Sequence, residues 1–160
     1  MLPEEYNKCV DKHADGLYRF ALKVMNDMDM AKDIVQESFE KLWVNRKTVE
    51  ISKAKSYLFT VAYHSMIDKK RKYKLLDKYS EMTFDYVHTG QYSDLNELLH
   101  RMAERLPDIQ RSVLLLRDYE GYSYEEIEKI TGLNLTQVKV YIHRARTQMR
   151  QYIGRIDSVI

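Results

Sequence analysis

Eight side chains near the carboxyl end have types and spacing suited to a polyanion: Thr136, Gln137, Lys139, Tyr141, His143, Arg144, Arg146 and Arg150. Between Gly132 and Ile156 there are five Lys and Arg residues and no acid, whereas Asp118 to Glu128 holds five acids and no Lys or Arg. Cations neutralise phosphates, and the hydrogen-bonding side chains among them can meet base edges in a major groove. A second cationic group lies at Lys69 to Lys74, where five of six residues are Lys or Arg, interleaved with Tyr57, Tyr63 and Tyr73. Such a run can follow a phosphate backbone while aromatic rings stack on unpaired bases. A third group is acidic. Asp33, Gln36, Glu37 and Glu40 lie three or four residues apart, so a helix sets them in one strip, which reads either as a docking surface or as a solvated face.

These groups need helices to hold them, and the chain carries the signals for helices. Ser123 with Glu126, and Asn134 with Gln137, are capping boxes that satisfy orphan backbone donors at two helix starts. Gly132 between them suits the positive φ that closes a helix, and Leu133 is placed to plug the gap between the two axes. Leu135, Val138, Ile142, Ala145 and Met149 recur at helical spacing and face inward, so the polar set faces outward: a helix-turn-helix pattern. Upstream, Tyr6, Val10, Leu17, Phe20, Ala21 and Val24 predict a helix from Glu4 to about Met25. Ile34, Val35, Phe39, Leu42 and Trp43 predict the buried stripe of a second, Met28 to Trp43. After the polar stretch NRKTVEISKA, a third helix carries Tyr57, Leu58, Val61, Ala62, Met66 and Ile67 inward and ends in DKKRKYK. There the macrodipole favours cations. Leu75 to Asn96 has poor periodicity and is the expected linker. Leu95, Leu98, Leu99, Met102 and Leu106 restart a helix, and Pro107 opens another, with Ile109, Val113, Leu114 and Leu116 inward, which Gly121 stops.

Composition narrows the classes. Five Gly, two Pro and 31% charged residues among 160 point to an all-α protein, and 44% hydrophobic residues suffice for its cores. The formal net charge is only +2, so nucleic-acid binding must rest on local patches. One Cys, Cys9, excludes an internal disulfide and a thiolate-clustered zinc site. His64 and Asp68 stand four apart, but no third ligand follows at suitable spacing, so neither metal nor cofactor is expected. No carboxylate cluster suits an enzyme of nucleic-acid processing. The amino end, MLPEEYNKC, is unlike a signal peptide, and no apolar run approaches the roughly 20 residues that span a bilayer. The chain is expected to be cytoplasmic, without membrane insertion.

Three stretches resemble the sigma factors of bacterial RNA polymerase, in the short two-domain extracytoplasmic-function (ECF) group of the sigma-70 family. AKDIVQESFEKLW, Ala31 to Trp43, looks like the region-two helix that docks on the polymerase. YLFTVAYHSMIDKKRK, Tyr57 to Lys72, is similar to the segment that opens and reads the minus-ten element. LPDIQRSVLLLRDYEGYSYEEI with QVKVYIHRARTQMR looks like region four. The resemblance implies sigma region 2 over residues 1–74, a flexible linker over 75–96 and sigma region 4 over 97–160. It implies polymerase binding through Asp33, Gln36, Glu37 and Glu40, on the clamp helices of the largest subunit, with the beta flap as a second contact. It assigns Tyr57, Tyr63, His64, Lys69, Lys70, Arg71 and Lys72 to the minus-ten element. Thr136, Gln137, Lys139, Val140, Tyr141, His143, Arg144 and Arg146 fall to the minus-thirty-five element. His64 stands where the family usually has Asn, and Val140 where a small hydroxyl residue is common. The implied partners are core RNA polymerase, promoter DNA and an anti-sigma factor, the free chain being a monomer with no chemistry of its own. The competing reading is a stand-alone dimeric helix-turn-helix transcriptional regulator, which gives the acidic strip and the Lys69 to Lys74 cluster no role.

Overall fold

The computed structural model describes residues 1–77 and 106–157, and the chain divides into two compact units. The first holds α1 (Pro3–Met25), α2 (Met28–Val44), a 3-10 turn (Ile51–Lys53) and α3 (Ala54–Asp77). The second holds α4 (Asp108–Asp118), α5 (Tyr124–Thr131) and α6 (Leu135–Asp157). No strand occurs among the described residues, so the all-α expectation holds.

Local chemistry sets the joints of the first unit. The Glu5 carboxylate accepts from the Leu2 backbone N–H at 2.7 Å, and Pro3, which has no N–H to leave unpaired, stands in the first turn of α1. Asn26 closes α1 in the left-handed region at φ 54°, and Asp27 opens α2 by accepting from Met30 N at 3.0 Å. The turn is therefore two residues long, and each has a separate reason to stop or start a helix. Leu17, Phe20, Ala21 and Val24 of α1 meet Ala31, Ile34 and Leu42 of α2 and Leu58, Phe59, Ala62 and Met66 of α3, all buried. The Phe20 and Phe59 rings lie 5.3 Å apart, within the range where aromatic pairs add to burial.

Three expectations need correction here. The inward face of α3 is rotated: Phe59 and Tyr63 are buried, whereas Tyr57, Val61 and Ile67 are only half-buried. Both faces share Leu58, Ala62 and Met66, so periodicity alone could not choose the flank. Phe20 on α1 offers the aromatic surface that selects Phe59. Trp43 does not complete the buried stripe of α2; it is 39% exposed. Finally, α3 runs through the basic cluster to Asp77, so Lys69 to Lys72 project from the helix interior. The macrodipole acts only over the last turn and explains Lys74 rather than the cluster.

In the second unit Pro107 stands just before α4, at φ −53° and ψ 146°, instead of at its first helical position. Val113, Leu114, Leu115 and Leu116 are buried, Ile109 half-buried, and Arg111 is buried with Nη2 donating to the Leu106 carbonyl at 3.1 Å. Gly132 (φ 77°) closes α5 in the region that favours glycine, whereas α4 already ends at Asp118 with Tyr119 as its cap, so Gly121 (φ 73°) turns the chain after the helix instead of stopping it. Ile127 and Ile130 of α5 pack with Val138, Ile142 and Ala145 of α6. The expected helix upstream of Leu106 and the linker beyond Asp77 lie outside the described residues. Leu106 itself is buried with Leu114 and Ala145, against Met149.

Candidate nucleic-acid and partner interfaces

Both caps of the helix-turn-helix are formed. Glu126 N donates to Ser123 Oγ at 3.1 Å while Ser123 N donates to Glu126 Oε1 at 3.3 Å. Asn134 N donates to Gln137 Oε1 at 3.0 Å while Gln137 N donates to Asn134 Oδ1 at 2.8 Å. Leu133 between them is half-buried. These bonds fix where α6 starts and hence which of its residues face out. Val138, Ile142 and Ala145 are buried, and Thr136, Lys139, Val140, His143 and Arg144 form the exposed stripe opposite, at steps of three and four. Gln137 is exposed but uses its carbonyl oxygen in the cap, leaving its amide nitrogen to donate outward.

Two residues expected on that face sit on its flanks. Tyr141 is half-buried. Arg146 turns back to α4, where Nη2 and Nε donate to the two oxygens of Asp118 at 2.6 and 3.4 Å. Its guanidinium is thus committed to an ion pair within the unit. Nearby, the Arg117 guanidinium lies 4.5 Å and the Lys139 ammonium 5.9 Å from the centre of the Tyr124 ring.

On α2, Asp33, Gln36 and Glu40 are exposed, with Gln36 Nε2 donating to Glu40 Oε1 at 3.2 Å. Glu37 differs from its neighbours. Its Oε2 accepts from Ser65 Oγ at 2.9 Å and Lys69 Nζ at 3.2 Å, both on α3, and Lys41 Nζ approaches Oε1 at 3.3 Å. Burial pushes this carboxyl up, but the hydrogen bonds from Ser65, Lys69 and Lys41 outweigh it and hold the group below its usual range. A lowered carboxyl stabilises the fold above the unfolded-state value and loses that contribution as pH falls through the folded one. The urea midpoint of wild type should therefore exceed that of Glu37→Gln near neutrality. The difference should shrink as pH drops below about 4, the ordinary carboxylate range; a difference that stays constant to low pH would dissociate Glu37 from this titration.

The residues assigned to single-stranded DNA are divided by the packing of α3. His64, Arg71 and Lys72 are exposed, and Lys69 and Lys70 are half-buried. Tyr57 presents its hydroxyl to Asn45 Nδ2 at 3.0 Å and the Lys41 carbonyl at 3.4 Å. Tyr63 is only 3% exposed and meets His64 edge-on at 5.2 Å, so its ring supports His64 and has no face for a base. A groove of ≈ 330 Å³ between α2 and α3 is lined by Glu37, His64, Ser65, Asp68, Lys69 and Lys72, among others.

Sequence reasoning missed one surface. Pro3, Tyr6, Glu40, Trp43 and Val44 line an apolar groove of ≈ 620 Å³ beside the acidic strip. The Trp43 ring rests 4.9 Å from Tyr6 and beneath the Arg46 guanidinium at 3.9 Å. The available signal was α2 carrying two adjacent apolar residues, Trp43 and Val44, at its end, more than one face can bury.

Among the described residues no helix is long and apolar enough to cross a membrane, and no three His, Cys, Asp or Glu gather as a metal site. These features define an all-helical DNA-binding regulator built from two units, one of them a helix-turn-helix. The family model described as Sigma-70 region 2 matches residues 9–75, and the one described as Sigma-70, region 4 matches residues 96–149. The chain is 31% identical over 153 residues to the RNA polymerase sigma factor SigV of Bacillus subtilis (strain 168), covering 93% of this chain and 91% of that one. It is 27% identical over 149 residues to the ECF RNA polymerase sigma factor SigM of the same organism, covering 89% and 91%. The sigma factor RpoE of Bartonella quintana, solved in complex with the anti-sigma factor NepR, is similar in structure, with a TM-score of 0.80 and 25% identity over 94% of this chain and 98% of that one. The chain belongs to the sigma-70 family and is an RNA polymerase sigma factor of the ECF group.

Proposed function

We propose that this sigma factor docks core polymerase on the exposed acidic strip of α2, opens the minus-ten element along α3 and reads the minus-thirty-five element with α6. Residues 1–74 act as region 2, 75–96 as the linker and 97–160 as region 4. The observation that carries the assignment is the placement, on one three-helix unit, of an exposed strip of Asp33, Gln36 and Glu40 beside a helix bearing His64, Arg71 and Lys72. An acidic strip repels DNA and suits a basic protein surface such as the clamp helices of the largest subunit, while the cationic helix suits phosphate. The beta flap would meet region 4. On α6, Thr136, Lys139, Val140, His143 and Arg144 face the groove, and Tyr141 and Arg146 brace it. The polymerase performs the phosphoryl transfer; this chain supplies recognition in the cytoplasm, as a monomer when free, held in check by an anti-sigma factor.

The test is capture of core polymerase by the full chain, followed by promoter-dependent transcription only when both are present. A folded chain that captures none would overturn the assignment of the α2 strip as the docking surface. Within the complex, Arg144→Ala should weaken promoter binding and flatten the plot of log affinity against log salt by about one unit, the loss of one phosphate contact. An unchanged slope would remove the phosphate contact from Arg144.

A further inference from the structure

Glu37 stands at a position that the resemblance gives to the polymerase, yet its carboxylate is occupied within the chain. Ser65, 8% exposed, donates to it at 2.9 Å, and Lys69 donates both to it at 3.2 Å and to Ser65 Oγ at 3.0 Å. These three groups form a closed triangle across the packing of α2 on α3, and Lys41 holds the second carboxylate oxygen. On the same helix Arg71 and Lys72 extend into solvent. The cationic cluster thus contains members of two kinds, and spacing does not tell them apart.

We infer that Glu37 and Ser65 are positioning residues that keep Lys69 masked from nucleic acid in the free chain, so that neutralising Glu37 adds a phosphate contact to α3. The reason is ionic linkage. A free Lys that meets a phosphate displaces a condensed counterion, and this makes affinity fall with salt. A Lys already paired with a carboxylate must give up that pair first, and the exposed carboxylate then gathers a cation of its own. Its net contribution to the salt dependence is near zero. Glu37→Gln keeps the shape and removes the charge, which reproduces a carboxylate neutralised by a cationic group of a docking partner. A cation seated on the α2 strip at Glu37 would then strengthen the grip of α3 on DNA, joining the two surfaces through one side chain. The inference rests on the reading of α3 as a nucleic-acid surface.

The experiment measures binding of the full chain to a fluorescein-labelled oligothymidylate by anisotropy across a salt series. Arg71→Gln tests the α3 reading by itself and should flatten the slope by about 0.7, the value for one contact on a single strand. Lys69→Gln should leave the wild-type slope unchanged. Glu37→Gln should steepen it by about 0.7, an extra 2.5-fold or so loss of affinity between about 50 and 200 mM salt. Glu37→Gln made in the Lys69→Gln chain should have no effect. If Arg71→Gln flattens the slope and Lys69→Gln does so equally, the masking is overturned while the α3 surface stands. A steepening by Glu37→Gln that survives in the Lys69→Gln chain is a general charge effect and also overturns it. A folded Glu37→Gln chain whose slope is unchanged overturns the masking alone. If Arg71→Gln changes nothing, the α3 reading falls and the inference with it. Capture of core polymerase, tested separately, is untouched by that last result.

Discussion

The chain carrying Asp33→Lys and Glu40→Lys should lose capture of core RNA polymerase by about 100-fold, with the helical circular dichroism of wild type. Close charge pairs across an interface couple by about 1.5 kcal/mol or more each, and about 1.4 kcal/mol is tenfold in affinity. Two reversals that turn attraction into repulsion reach that figure. The helix tolerates them because both positions are exposed and neither side chain packs in the core. The hydrogen bond at stake is that from Gln36 to Glu40, an exposed pair of small value. Glu37 is unsuited to this reversal. A Lys there would face Lys41 and Lys69 and break the bond to Ser65, so lost binding would be confounded with a disturbed α2–α3 contact. Polymerase captured as well by the double variant as by wild type would reduce the strip to a solvated face.

The second large effect is on the core. Phe59→Ala should destabilise the first unit by about 3–5 kcal/mol, the cost of emptying a well-packed aromatic site. Phe59 is 1% exposed and packs on Phe20, which is 2% exposed, so little can move in to fill the space. A small domain lies at the lower end of roughly 5–15 kcal/mol in total, so the variant should be largely unfolded by conditions that spare wild type. Trp43 is the single tryptophan of the chain and lies in this unit, so its fluorescence in a urea titration reports the unit directly. Tyr57→Ala is the internal comparison. Its half-buried ring should cost no more than about 2 kcal/mol, in the ordinary range for a point substitution. Equal costs at the two positions would restore the inward face that periodicity alone suggests.

The Cys9 thiol is buried, and that burial pushes its pKa up, which disfavours the thiolate needed for metal binding or nucleophilic attack.

What was legible in the residues was local. Ser123, Asn134 and Gly132 mark helix boundaries because capping bonds and positive φ are settled within three or four residues. The helix-turn-helix, its exposed stripe and the resemblance to sigma regions 2 and 4 follow from that same short range. Tertiary structure alone decided which flank of α3 turns inward, that Trp43 stays at the surface, and that Tyr63 props His64. It also decided that Glu37 serves Ser65 and that Arg146 serves Asp118, partners 28 residues away in each case. The physical reason is that periodicity specifies a face of one helix, whereas a side chain's partner depends on the axis, rotation and crossing of the helix packed against it.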